Sequence, residues 1–171
     1  HQLQPCLLPA VIDQAVDIAG NDFDLAEGFD FKGVSILREF DPTLGPVPCT
    51  ANELEQVLLN LLKNAAQAIH LREQPTTPGQ IILRTRLSPP WAEIQVEDNG
   101  CGMSELVRKR IFEPFFTTKE IGQGTGLGLS VCYFIITNNH HGQMEVQSRA
   151  GHGSCFILRL PLVNLVEKIE S

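Results

Sequence analysis

The sequence predicts an α+β fold, a two-layer sandwich with helices on one face of a mixed sheet. A long amphipathic helical stripe precedes two pairs of strand-like runs, and the element order is α-β-α-β-β-loop-α-β-β. That order breaks the regular alternation a parallel βαβ sheet requires. With 171 residues, 43% hydrophobic and 19% charged, the chain suits one globular domain with a full core.

In chain order, Leu8, Val11, Ile12, Ala15 and Val16 recur at helical spacing and predict a helix over 8–19. A polar connection rich in Asp and Asn covers 20–33, and 34–40 reads as a strand closed by Asp41-Pro42 and Gly45-Pro46. Thr50-Ala51-Asn52-Glu53 has capping-box spacing, in which the Thr and Glu side chains satisfy free backbone N–H groups. Leu54, Val57, Leu58, Leu61, Leu62, Ala65 and Ile69 then form the apolar stripe. Runs 81–87 and 91–97 flank Ser88-Pro89-Pro90 as a hairpin-like pair. A short helix is expected near 105–112, a longer one over 127–138, and strands at 144–148 and 155–160. One domain is expected over 1–162, with a charged tail at 163–171.

The formal charge of −7 speaks against a general nucleic-acid binder and against docking on anionic lipid. No apolar run approaches the roughly 20 residues of a membrane span, and the start has no signal-peptide pattern. Opening at His1 without a methionine suggests a piece of a longer chain. The cysteines (Cys6, Cys49, Cys101, Cys132, Cys155) are odd in number and never spaced C-x-x-C, so neither a disulfide framework nor a zinc site is expected. A reducing cytoplasmic setting is the plain expectation.

Several residues carry candidate chemistry. Asn60 and Asn64 are one helical turn apart, Asn64 at the border of the apolar stripe and Asn60 a little further round. They read either as solvated polar positions or as carbonyl ligands for a hard cation such as Mg²⁺. Asp98 ends a strand before Asn99-Gly100-Cys101-Gly102-Met103. That segment is either a tight turn or a carboxylate beside glycines that admit a planar ring. Gly122, Gly124, Gly126 and Gly128 alternate with Gln123, Thr125 and Leu127 before a helix, an arrangement suited to phosphate. It is neither a P-loop nor a Rossmann turn. Between the glycine clusters, Phe112, Phe115 and Phe116 offer lid anchors, and Lys119 can reach a phosphate.

The order of these segments is more specific than any one of them. E-x-x-Q-V-L-x-N-L-x-x-N-A (Glu53 to Ala65), D-N-G-x-G-M, F-E-P-F-F-T-T-K, G-x-G-T-G-L-G-L-S and G-x-G-S (Gly151 to Ser154) resemble the N, G1, F, G2 and G3 boxes of sensor histidine kinases. The likeness runs from about Val34 to Pro161, and the tract from Asn60 to Ala68 is similar to kinases of the nitrogen-regulation type.

The resemblance implies the fold shared with gyrase B and MutL: a mixed sheet of about five strands under three helices, with ATP between the long helix and a flexible lid at about 104–126. It implies Asn64 as Mg²⁺ ligand, with Asn60 and Lys63 of the same box beside the nucleotide. Asp98 would bind the adenine amine, aided by Ser154, with Gly100, Gly102 and Met103 lining the base pocket. Phe112 and Lys119, together with the backbone of Gly124, Thr125, Gly126, Leu127 and Gly128, complete the implied nucleotide contacts.

Hydrolysing members of this superfamily carry a Glu four residues before the metal-binding Asn, and this chain has Asn60 there. An amide is no general base at neutral pH, so transfer rather than hydrolysis is expected. None of His1, His70, His140, His141 or His152 sits in a phosphoacceptor box. The implied acceptor is therefore a histidine on an upstream dimerisation domain of a homodimeric parent. A response-regulator receiver domain would then take the phosphate. The alternative within this fold is a serine kinase or anti-sigma factor.

Overall fold

The computed structural model describes residues 2–21, 31, 33–117 and 128–163. The elements are β1 (Gln4–Cys6), α1 (Leu8–Asn21), β2 (Val34–Glu39), β3 (Val47–Cys49), α2 (Ala51–His70), β4 (Gly79–Ser88), β5 (Trp91–Asp98), α3 (Glu105–Arg110), α4 (Gly128–Phe134), β6 (Gln143–Ser148) and β7 (Ser154–Pro161). Five strands form one sheet in the order β2-β4-β5-β7-β6. Only the β2–β4 pair is parallel, so the sheet is mixed, as the element order predicts.

Alternation along the strands separates the two faces. Ile81 and Leu83 of β4, Ala92, Ile94 and Val96 of β5, and Phe156, Leu158 and Leu160 of β7 are buried toward the helices. The α2 stripe (Leu54, Val57, Leu58, Leu61, Leu62, Ala65, Ile69) packs on them, and α1 adds Leu8, Ile12 and Ala15. The other face is a carpet of charge: Arg84 bridges Glu39 and Glu97, and Arg159 bridges Glu93 and Glu145. Burial on one face only is what makes this a two-layer molecule. Among the described residues no helix is long and apolar enough to cross a membrane.

Four features depart from the sequence reading. First, β1 and β3 form a small antiparallel ribbon where no strand was expected, because Pro5 and Pro48 hide the strand signal.

Second, the capping box does not form. Thr50 occupies the N-cap of α2 without a side-chain cap bond, and its backbone N–H donates to His140 Nε2 at 3.0 Å. Glu53 turns its carboxylate to Asn139 instead, accepting from Nδ2 at 2.6 Å. A tertiary contact replaces the local one.

Third, the helix expected over 127–138 is α-helical only to Phe134 and widens to a π-turn at Ile135–Asn139. There the His140 N–H reaches Ile135 O and the Gly142 N–H reaches Ile136 O. The same turn buries His140, whose Nδ1 lies 2.9 Å from Ile135 O. Fourth, the short helix expected to reach residue 112 stops at Arg110.

Candidate functional site

β5 delivers Asp98 to the end of the sheet, between Ile81 of β4 and Ser154 of β7. The carboxyl is buried, and Oδ1 accepts the Gly100 N–H at 2.8 Å. Burial pushes its pKa up to about 6, against the pull of backbone hydrogen bonds from Gly100 and Ser154, while nearby Glu97 adds to the rise. The turn after Asp98 latches onto α2 through the Cys101 N–H and Ala68 O, 2.9 Å apart.

Two glycines let the strand ends converge here. Gly102 has φ +68°, and a Cβ on it would lie 2.1 Å from Arg149 O. Gly153 has φ +81°, and its Cβ would lie 2.1 Å from Asp98 O. Only glycine fits such backbone-on-backbone contact.

Beside Asp98 sits a serine pair. Ser148 Oγ is 2.7 Å from Ser154 Oγ, donates to Gly153 O at 3.0 Å and accepts the Met103 N–H at 2.9 Å. A hydroxyl has one proton. With that of Ser148 given to Gly153, Ser154 supplies the proton between the two, and its own oxygen is left with lone pairs for an incoming donor. Ser148 lies outside every motif in the sequence. Only its place at the end of β6, opposite Ser154, brings it in.

At the other end, α2 presents Asn60, Lys63 and Asn64, all half-buried. Asn60 Nδ2 donates to Gln56 O at 3.1 Å, and Oδ1 faces α4, 3.3 Å from where a Cβ on Gly128 would stand. Phe112 stacks on Tyr133 of α4 with centroids 5.1 Å apart and meets Phe156 edge-on at 6.3 Å.

Of the expected lid aromatics, Phe112 packs inward and Phe116 lies under Arg110, 4.7 Å from the guanidinium. Phe115 is 75% exposed and anchors nothing. Lys119, Gly124, Thr125, Gly126 and Leu127 lie outside the described residues. A hollow of about 460 Å³, lined by Gln80, Glu97, Gln147, Arg149 and His152 among others, opens on the charged face of the sheet. It shares Asp98, Ser148, Gly153 and Ser154 with the base end of the site but includes none of Asn60, Asn64, Gly100 or Met103, so it reaches the carboxylate from the side away from α2.

Residues 49–164, which include Asp98, Asn60 and Asn64, match a family model, that of the histidine kinase-, DNA gyrase B- and HSP90-like ATPases. The chain belongs to this ATPase family. The ATPase domain is 46% identical over 158 residues to a sensor protein of Shewanella frigidimarina, covering 90% of this chain and 23% of that protein. It is 44% identical over 130 residues to the signal transduction histidine-protein kinase AtoS of Escherichia coli, covering 75% of this chain and 20% of that one. The chain thus spans under a quarter of the length of these relatives.

The fold of the ATPase domain superposes on the catalytic domain of histidine kinase ThkA in a nucleotide-free form, with a TM-score of 0.76 and 26% identity. The match covers 96% of this chain and 100% of that domain.

Proposed function

We propose that this chain is the ATP-binding catalytic domain of a two-component sensor histidine kinase, a single domain over 1–162 whose lid spans about 104–126. The γ-phosphoryl group of Mg·ATP would pass to a histidine on an upstream dimerisation domain and then to a response-regulator aspartate. The observation that carries this reading is Asp98, a buried carboxyl at a strand end with one oxygen held by Gly100 and a lone-pair-bearing Ser154 at its side.

In this reading Asp98 and Ser154 accept from the adenine amine, while Gly100, Gly102 and Met103 flank the ring. Phe112 holds the lid base against α4. Asn60, Lys63, Lys119 and the Gly124-to-Gly128 backbone attend the phosphates. Asn64 offers its amide oxygen to Mg²⁺. A half-buried amide fits a hard cation that keeps most of its shell from water and phosphate oxygens. The ion would neutralise charge on the phosphate oxygens during transfer.

Asn60 supports transfer over hydrolysis, because an amide takes no proton from water at neutral pH. His140 is no acceptor: its Nε2 takes the Thr50 N–H and its Nδ1 is engaged with Ile135 O.

The test is incubation of the chain with γ-labelled ATP, alone and with the parent's helical hairpin added. The chain alone should hydrolyse slowly and stay unlabelled, while the hairpin gains acid-labile, base-stable phosphohistidine. Acid-resistant label on the chain itself would overturn the proposal in favour of a serine kinase. For the metal, Asn64→Ala should weaken binding of a fluorescent ATP analogue about tenfold in Mg²⁺ and little in EDTA. Equal losses in both would make Asn64 a fold residue.

A further inference from the structure

The ribbon of β1 and β3 holds a pair of thiols that the nucleotide chemistry does not use. Gln4 faces Cys49 across it, and Cys6 faces Val47. Opposed residues of an antiparallel pair share a face, and so do residues two apart along a strand. Cys6 and Cys49 are therefore diagonal neighbours on one face.

Cys6 Sγ lies 3.5 Å from Cys49 O. Burial, joined by the neighbouring Cys6 thiol, pushes the Cys49 thiol above its ordinary range. Cys49 is fully buried and Cys6 partly exposed. The other cysteines are on separate elements: Cys101 in the turn after β5, Cys132 inside α4 and Cys155 on β7.

We infer that Cys6 and Cys49 form a reversible disulfide that staples β1 to β3, closed by exchange with a low-molecular-weight disulfide. The accessible Cys6, as thiolate, attacks one sulfur of the small disulfide and expels one small thiolate. Cys49 then loses its proton and attacks the Cys6 sulfur of the mixed disulfide, forming the protein S–S bond and expelling the second thiolate. Two cysteine thiols are oxidised, one small disulfide is reduced to two thiols, and the two protons released end on those thiols.

Diagonal neighbours in a flat ladder have Cα atoms about 7–8 Å apart, and disulfides span about 4.4–6.8 Å. Closure therefore requires the diagonal to shorten by local backbone movement, which the twist of a two-stranded ribbon only three residues long favours. Cys49 directly precedes Thr50, the N-cap of α2. The bond would thus fasten the segment entering α1 to the head of the helix that carries Asn60 and Asn64.

The experiment treats the whole 171-residue chain with oxidised glutathione, quenches by alkylation and maps peptides by mass. The expected product has lost two hydrogens and yields a Cys6–Cys49 cross-linked peptide. Cys101, Cys132 and Cys155 remain free, Tm shifts upward, and dithiothreitol reverses all of it. Cys49→Ser should trap a glutathione adduct on Cys6, and Cys6→Ser should abolish the reaction at Cys49. A persistent glutathione adduct on Cys6 of the native chain, a cross-link between other cysteines, or no loss of thiols would each overturn the proposal. Peptide mapping of the native chain decides it whether or not either variant folds.

Discussion

At the Asp98 end of the site backbone meets backbone, whereas at the Asn60 end side chains on two helices face each other. A Cβ on Gly153 would collide with Asp98 O at 2.1 Å, but one on Gly128 would touch only the Asn60 amide, at 3.3 Å. Backbone atoms of paired strands cannot retreat without breaking ladder bonds, while the tip of a side chain can turn. The first end is therefore fixed by the same contacts that hold β5, β6 and β7 together. The second can be altered without disturbing the core. Substitutions should couple fold and binding at the first end and separate them at the second.

The largest effect is expected for Gly153→Ala. A left-handed φ costs a side chain about 1–3 kcal/mol, and forcing atoms into filled space costs a similar amount. Together these take a large share of a typical net stability of about 5–15 kcal/mol. Thermal melting should shift sharply downward, with ATP binding lost in calorimetry. Gly151→Ala is the matched control, because Gly151 has the same φ of +81° with nothing within 4 Å of its Cβ position. It should show the strain alone. Equal melting of the two variants would mean that the close approach to Asp98 does not hold the site.

The next effect opposes stability to binding at one residue. Asp98 has a pKa raised from 3.8 to about 6, chiefly by burial. The native state thus holds its proton more tightly than the unfolded chain, and the ionised carboxyl costs the fold roughly 3 kcal/mol above pH 6. That cost fades as pH falls toward 4 and is gone below it. Asp98→Asn should therefore raise the Tm of the nucleotide-free chain at pH 7–8, with the gain vanishing near pH 4.

The same substitution should weaken ATP about ten- to a hundredfold. With the amide oxygen held by the Gly100 N–H, its NH₂ would face the adenine amine, donor against donor. In the native chain ATP affinity should fall as pH drops through about 6, because protonation weakens the carboxylate as an acceptor for the adenine amine. A flat pH profile, or a variant that binds ATP normally, would remove Asp98 from the base end.

Much of this contrast can be read from the sequence, and the unread part has a common cause. The α2 stripe, the five strands of the sheet and the Asp98 turn follow from local periodicity and glycine spacing. The β1–β3 ribbon does not, because its strands are three residues long with a proline in each. Ser148 and His140 also escape, since each matters through tertiary partners that no local pattern marks: Ser148 through Met103 and the facing Ser154, His140 through Thr50. The capping box fails for the same reason, because Asn139 and His140 take the groups that Thr50 and Glu53 would have exchanged.

The smallest effect, and the sharpest test of the contrast, is Gly128→Ala at the second end. Gly128 opens α4 with a φ outside the left-handed region, so alanine fits its backbone and gains helix propensity of up to about 1 kcal/mol. The new methyl would press on Asn60 Oδ1 and turn that amide by a few tenths of an ångström, while Nδ2 stays tethered to Gln56 O. Tm should hold or rise slightly. Affinity for ATP should fall severalfold in Mg²⁺ and in EDTA alike, because Asn60 attends the phosphates while the base end is untouched. A Tm that falls together with affinity in both conditions would mean that α4 itself has moved off α2. The two ends would then be one rigid body, and the separation of fold from binding at the Asn60 end would fail.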